Sequence, residues 1–215
     1  MTSPSPTVAP LLGEPLAVEF MNTMWADRSG VHDALASDAE VLAWLRAVAP
    51  GLAPRSATVD HWLQDARPAD LGDAGDRLRR LRDALRRIAA DRTTDPRPAA
   101  ASAIEDVAEA VRVLNDTAAA APRWSTLEST ASGFVRESRS DASPPAAIAA
   151  LVAEDAVDLY TGQLRDDLRA CLAPGCVLYF VKQHPRREWC STACGNRARA
   201  ARHYQRHRGA GGDRA

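Results

Sequence analysis

The chain has 215 residues, 46% hydrophobic and 26% charged, enough for one moderate core and a small appended module. It contains no run of about 18 apolar residues, which excludes a helical membrane span, and residues 1–15 lack the basic and apolar regions of a secretory signal, so a cytoplasmic location is expected. The near balance of 27 Lys+Arg and 28 Asp+Glu hides an asymmetry: residues 165–215 carry 11 basic against 4 acidic side chains, a surplus of seven, and residues 1–164 carry 16 against 24. A basic end on an acidic body points to a polyanionic partner, or to docking of that end on the body itself.

Residues 1–13 read as a disordered tail, and order begins at Glu14. Residues 16–23 are apolar at helical spacings and predict a short buried helix in which Glu19, Asn22 and Thr23 sit among apolar neighbours. Buried polar atoms need partners, so these three are candidate contacts to a small-molecule effector, or else they cap and bridge neighbouring helices. Ser37 and Glu40 form a capping-box pattern ahead of a helix with Val41, Leu42, Trp44, Leu45 and Val48 on its buried side, which Pro50-Gly51 should end. A third helix is predicted over 56–66. Leu78, Leu81, Leu85 and Ile88 then mark a helix whose arginines, Arg77, Arg79, Arg80, Arg82, Arg86 and Arg87, alternate with aspartates; a solvated, salt-paired face is expected there rather than a nucleic-acid stripe.

Asp95-Pro96-Arg97-Pro98 breaks the chain before a helix expected to bury Ile104, Val107, Val111 and Leu114. Residues 124–127 and 133–136 read as a hairpin turning near 129–132. Pro144-Pro145 opens a long helix through Ile148, Leu151, Val152, Ala156, Leu159, Leu164 and Leu168 that runs into Cys171. No glycine- or proline-rich linker follows, so the body and what comes after it should be rigidly coupled.

The four cysteines are spaced Cys171-x4-Cys176-x13-Cys190-x3-Cys194, two close pairs joined by a short excursion, the pattern of one tetrahedral zinc site. All four places are filled by thiolates, so the one Zn2+ is structural, and His184, His203 and His207 are not needed as ligands. Pro174-Gly175 permits a knuckle, 177–181 is β-prone, His184-Pro185 signals a turn, and 187–189 can return as a second strand. Ser191 is then an N-cap with Cys194 in the first helical turn. Knuckle, hairpin and helix describe a treble-clef-like finger. Its helix, to Arg208, presents Asn196, Arg197, Arg199, Arg202 and Arg206 as candidate DNA contacts, with 199, 202 and 206 on one face. Arginine's fixed fork suits phosphate and guanine, and Asn196 suits adenine. Arg186, Arg187 or Arg197 can instead neutralise the −2 metal centre; for Arg197 both roles stay open. Ala198, Ala201, Tyr204 and Trp189 are expected to pack on the finger.

The segment Trp189-Cys190-Ser191-Thr192-Ala193-Cys194-Gly195-Asn196-Arg197-Ala198-Arg199, with Cys171 and Cys176 upstream, resembles the CGNR zinc finger. Residues 16–23 are similar to the opening Leu-Asp-Phe-x-Asn-Thr signature of the ABATE domain of bacterial stress-induced transcription regulators, with Glu19 where the family commonly has Asp. The resemblance implies a helical, ligand-sensing N-terminal domain with a small sheet, and a DNA-binding finger. The expected architecture is mainly α with a small β-hairpin: a tail at 1–13, a helical ABATE-like sensor domain at 14–164, a finger at 165–208 and a second disordered tail at 209–215. The expected function is a bacterial transcription regulator, not an enzyme, with DNA as partner, an effector, and a homodimer within reach. The alternative is a zinc-dependent protein-interaction or dimerisation module without DNA binding.

Overall fold

The computed structural model describes residues 9–52 and 56–211. The order is α1 (Leu16–Met21), β1 (Met24–Ala26), β2 (Val31–Asp33), α2 (Asp38–Leu52), α3 (Ala57–Asp65), α4 (Ala74–Thr93), α5 (Val107–Ala119), β3 (Trp124–Thr130), β4 (Gly133–Arg139), α6 (Pro144–Thr161), β5 (Leu168–Ala170), β6 (Tyr179–Val181) and α7 (Thr192–Gly211). Each sheet is an antiparallel pair, β1 with β2, β3 with β4 and β5 with β6. Among the described residues, no helix is long and apolar enough to cross a membrane. The unstructured ends expected at 1–8 and 212–215 lie outside the described residues, as do the side chains of His207 and Arg208. Of residues 9–13, expected in the tail, two are held on the fold: Ala9 is buried and the Leu12 amide donates to Glu19 Oε1 at 2.7 Å, while Pro10, Leu11 and Gly13 are exposed.

Helix α1 is central because all its apolar side chains find cover, from α6 and α4 and from β6. Its N-cap, Pro15, offers no capping oxygen, and Asp155 of α6 does so instead, accepting the Ala17 amide at 2.9 Å. Helix α6 is apolar almost all round and is correspondingly enclosed between α1, α3, α4 and α5. The third helix, predicted over 56–66, runs from Ala57 to Asp65, and Ser56 is its N-cap, accepting the Val59 amide. Ser37 accepts the Glu40 amide, but Glu40 takes the Ser37 hydroxyl rather than a backbone N–H, so the capping box is half formed.

Several expectations are corrected. Helix α2 passes Pro50 and ends at Leu52, because the missing N–H falls in the last turn and Leu52 is buried in the core. The buried face of α5 is rotated by about one position: Ala110 and Leu114 are buried, whereas Val111 is exposed. The β3–β4 hairpin is longer than predicted, pairing Trp124 with Arg139 through Thr130 with Gly133. Helix α6 stops at Thr161, since Gly162 takes an extended backbone with its Cβ position 2.5 Å from the Asp158 carbonyl; Leu168 consequently lies in a strand. Helix α7 continues past Arg208 to Gly211.

The arginine face of α4 is salt-paired only in part. Arg77 meets Asp73, Arg79 meets Asp76 and Asp38, and Arg80 meets Glu109. Arg82 and Arg86, however, share the i, i+4 row of Leu78 and point inward, 4% and 1% exposed. Arg82 forks onto both carboxylate oxygens of Asp33. Arg86, without a carboxylate, donates to the carbonyls of Met21 (2.9 Å), Ala100 (3.2 Å) and Val177 (3.3 Å), and burial lowers its pKa. Arg86→Met would strand three buried acceptors at about 1–3 kcal/mol each. A stability loss of roughly 3 kcal/mol or more in urea is expected, against under about 0.5 kcal/mol for the exposed Arg80→Met; equal effects would refute this assignment.

Candidate metal centre and nucleic-acid interface

Strand β6 pairs with β5, upstream of the first cysteine, rather than with 187–189, which form no strand. Leu168 opposes Val181 and Ala170 opposes Tyr179, and the Cys171 amide extends the ladder to the Leu178 carbonyl at 3.0 Å. Between them the knuckle turns at Gly175, whose φ of +71° is a left-handed value that favours glycine. The expected turn at His184-Pro185 is present, closed by Arg187 N–H to His184 O at 2.9 Å. Ser191 caps α7 by accepting the Cys194 amide at 3.2 Å.

These elements bring Cys171, Cys176, Cys190 and Cys194 together, all buried, with every sulfur within 4.8 Å of the others. The separations Cys176–Cys190 and Cys190–Cys194 are 3.8 and 3.4 Å. A zinc ion about 2.3 Å from each sulfur needs tetrahedral edges of about 3.8 Å, whereas a disulfide needs about 2.05 Å. The cysteines are free thiols placed for one zinc ion. Without a cation they cannot all ionise: hydrogen bonds from Cys171, Cys176 and Cys190 hold the Cys194 thiol low, while Cys171, Cys176 and Cys194 push Cys190 up. A divalent metal removes that conflict and locks the finger; four sulfur ligands leave no open position for catalysis.

The surroundings of the thiolates are cationic. Arg197 Nη2 lies 3.1 Å from Cys194 Sγ, and the Cys190 amide is 3.5 Å from Cys171 Sγ. Gly195 admits this packing, since a Cβ there would lie 3.1 Å from the Trp189 ring. Arg187 donates to the Cys190 carbonyl at 3.1 Å, to the Val181 carbonyl at 3.1 Å and to the buried Glu14 carboxylate. Arg97 reaches in from the body: its Nη1 faces the carbonyls of Cys171, Cys176 and Leu178 at 3.0, 3.1 and 3.1 Å. Asp95 holds Arg97 and accepts the Tyr179 hydroxyl at 2.8 Å. Burial pushes the Asp95 carboxyl up, yet bonds from Arg97 and Tyr179 outweigh it and keep the group below the usual carboxylate range; burial pushes the Tyr179 phenol up to about 12. The sequence reading missed Arg97, seeing only a proline break at 95–98. The two prolines that flank the arginine fix its loop and were the available signal.

All five candidate DNA contacts, Asn196, Arg197, Arg199, Arg202 and Arg206, are exposed along α7, although Arg197 also reaches Cys194. Arg199 bonds Asn196 Oδ1 at 2.6 Å, Arg202 lies over the Trp189 ring at 5.6 Å, and Arg206 donates to the Arg202 carbonyl. Ala198 is buried in the finger as expected, but Tyr204 is 71% exposed, because α7 has by then left the finger surface. Among the candidate effector contacts, Asn22 and Thr23 spend their polar atoms on the fold. Asn22 exchanges two bonds with the Tyr179 backbone, at 2.8 and 2.9 Å, and Thr23 donates to Phe20 O at 2.7 Å. Glu19 Oε1 accepts the Leu12 and Glu14 amides, and Oε2 is enclosed with no hydrogen-bond partner among the described residues; burial raises the pKa of the group.

Fold and site together define a mostly helical metal-binding protein with one structural zinc finger built into its C-terminal end. Residues 168–207 match the CGNR zinc finger, and residues 14–163 match ABATE, a family described as "putative stress-induced transcription regulator". The chain belongs to the ABATE family and carries the CGNR finger. No curated protein matches it. One zinc per chain is expected by elemental analysis, falling well below that in Cys194→Ser. Arg97→Met, which leaves every ligand in place, should speed zinc transfer to a colorimetric chelator by about 10-fold or more; an unchanged rate would deny Arg97 its supporting role.

Proposed function

We propose that this protein is a cytoplasmic transcription regulator that binds DNA through α7, with zinc serving only to fold and aim that helix. The observation that carries the reading is the state of its arginines. Arg199, Arg202 and Arg206 recur at i, i+3 and i+7 on an exposed face and, among the described residues, have no carboxylate partner, whereas the exposed arginines of α4 are paired with aspartate or glutamate. Unpaired guanidinium groups in a row on a helix, within the basic segment 165–215, match the phosphates of a duplex. Asn196 and the first turns are the part of such a helix nearest the bases. Arg197 serves the metal centre through Cys194 and is assigned to the finger rather than to base reading. An effector acting at Glu19, Asn22 and Thr23 would compete with the backbone of Leu12, Glu14 and Tyr179 for these atoms.

With the three phosphate contacts of Arg199, Arg202 and Arg206, log affinity for DNA should fall against log salt with a slope of roughly −3, and Arg202→Ala should reduce its magnitude by about one. Fluorescence anisotropy from 50 to 300 mM salt measures this, and salt-independent binding would sink the reading. A second reading, a protein-interaction or dimerisation module, is favoured by the β3–β4 hairpin, where Leu127 and Phe134 are 72% and 75% exposed. Concentration-dependent assembly that Phe134→Ser abolishes, with no shift of random or genomic DNA, would select it instead.

A further inference from the structure

The outer face of β5–β6 and the flank of α7 enclose a groove of about 280 Å³ that the metal centre does not use. Strand alternation turns Leu168, Tyr179 and Val181 into the core of the body, and leaves Arg169, Phe180 and Lys182 on the opposite face. Phe180, Leu172 and Trp189 make its floor, while Arg169, Lys182 and Arg202 stand around the rim. Leu172 is exposed and Trp189 half-buried, so the floor is accessible.

Among the described residues, Arg169, Lys182 and Arg202 form no ion pair with a carboxylate. Lys182 is the single lysine of a chain with 26 arginines, and among the described residues its ammonium has no hydrogen bond or ion pair. Arg169 bonds only the carbonyls of Asp166 and Leu168, at 2.8 Å each, and Arg202 stacks on Trp189. Arg187 also lines the groove, but its charge is met by Glu14. Glu188 is the acidic group of the lining. Three free cations around an apolar, partly aromatic floor call for a ligand that is anionic at one end and flat or apolar at the other. Lysine fits the converging position: a compact ammonium on a flexible stem meets a phosphate oxygen from many angles, where a guanidinium fork needs alignment.

We propose that this groove seats one nucleotide unit, its phosphate between Lys182, Arg169 and Arg202 and its sugar or base against Leu172 and Trp189. The unit is supplied either by the DNA that α7 contacts or by a free mononucleotide. The first source rests on the DNA-binding reading; the second is independent of it.

The test uses the full-length, zinc-loaded protein, with Lys182→Gln, Arg169→Gln, the double variant and Arg80→Gln as a control on α4. Lys182 holds nothing else in place, so zinc content and circular dichroism of K182Q should match the parent, and R169Q checks the result independently. In one arm, DNA affinity is followed against salt. Each single variant should lower the magnitude of the slope by about one, and the double variant by little more, because both side chains serve the same phosphate; R80Q should not alter it. In the other arm, dAMP and inorganic phosphate are titrated calorimetrically. A free-nucleotide site predicts dAMP binding, tighter than phosphate, that K182Q weakens about 10-fold or more with the DNA slope unchanged. If the parent protein ignores DNA yet binds dAMP through Lys182, the groove stands and the DNA reading falls. If DNA binds with a slope indifferent to Lys182 and Arg169, and dAMP does not bind, the groove proposal is overturned; a parent that binds neither DNA, dAMP nor phosphate overturns it as well.

Discussion

Strand β6 is only three residues long, and its successive side chains belong to different cores. Tyr179 and Val181 are buried with the helices of the body, and Phe180 is buried with the four cysteines. Period-two alternation is what makes this sharing possible, because a strand has two faces and nothing else so thin can present both. The backbone of the same strand is read from the body: Asn22 exchanges two bonds with Tyr179, and Glu14 accepts the Val181 amide. Arg97 and Arg86 take knuckle carbonyls on the way into it. A finger held in this way is no bead on a string. Displacing it would expose part of both cores and strand several buried polar groups, so the metal and the helical domain hold one another in position.

Arginine does three distinct jobs in this chain, and surroundings decide which. Where aspartate or glutamate stands within reach at the surface, as along α4, the pair is solvated and contributes little to stability. Where the helical row turns inward, Arg82 and Arg86 become connectors, satisfying a carboxylate or several carbonyls that would otherwise be costly to bury. Along the exposed face of α7, guanidinium groups collect with, among the described residues, no carboxylate partner. The net charge of −1 conceals this distribution entirely, and it is the distribution that carries the functional argument.

The sequence disclosed those features whose causes are local. Cysteine spacing named the metal site, apolar periodicity located α1, α2 and α4, and short β-tolerant segments located the hairpin. It failed where the deciding contact is distant. Residues 187–189 could serve as a partner for 177–181, and only the fold shows that β5 takes that place first. The phase of α5 was misjudged because valines at 107 and 111 looked more apolar than Ala110, although close packing against α4 favours the smaller side chain. Arg82 and Arg86 were legible as members of the Leu78 row, but their charge argued for solvent until the waiting acceptors were seen. Arg97 was hidden by the same bias, since the chain around it reads as a loop.

The contact between Asn22 and Tyr179 joins residues 157 positions apart. Ribosomes add about 5–20 residues per second, so roughly 8 to 30 s separate the two residues during translation. Throughout that interval the amide of Asn22 has no native acceptor, and the enclosing wall of the helical core is missing. The helical domain therefore cannot reach its final packing until Tyr179 and its strand have been made. Its maturation waits for the cysteine segment to emerge and capture its ion, which ties the birth of each working molecule to the zinc supply at that moment.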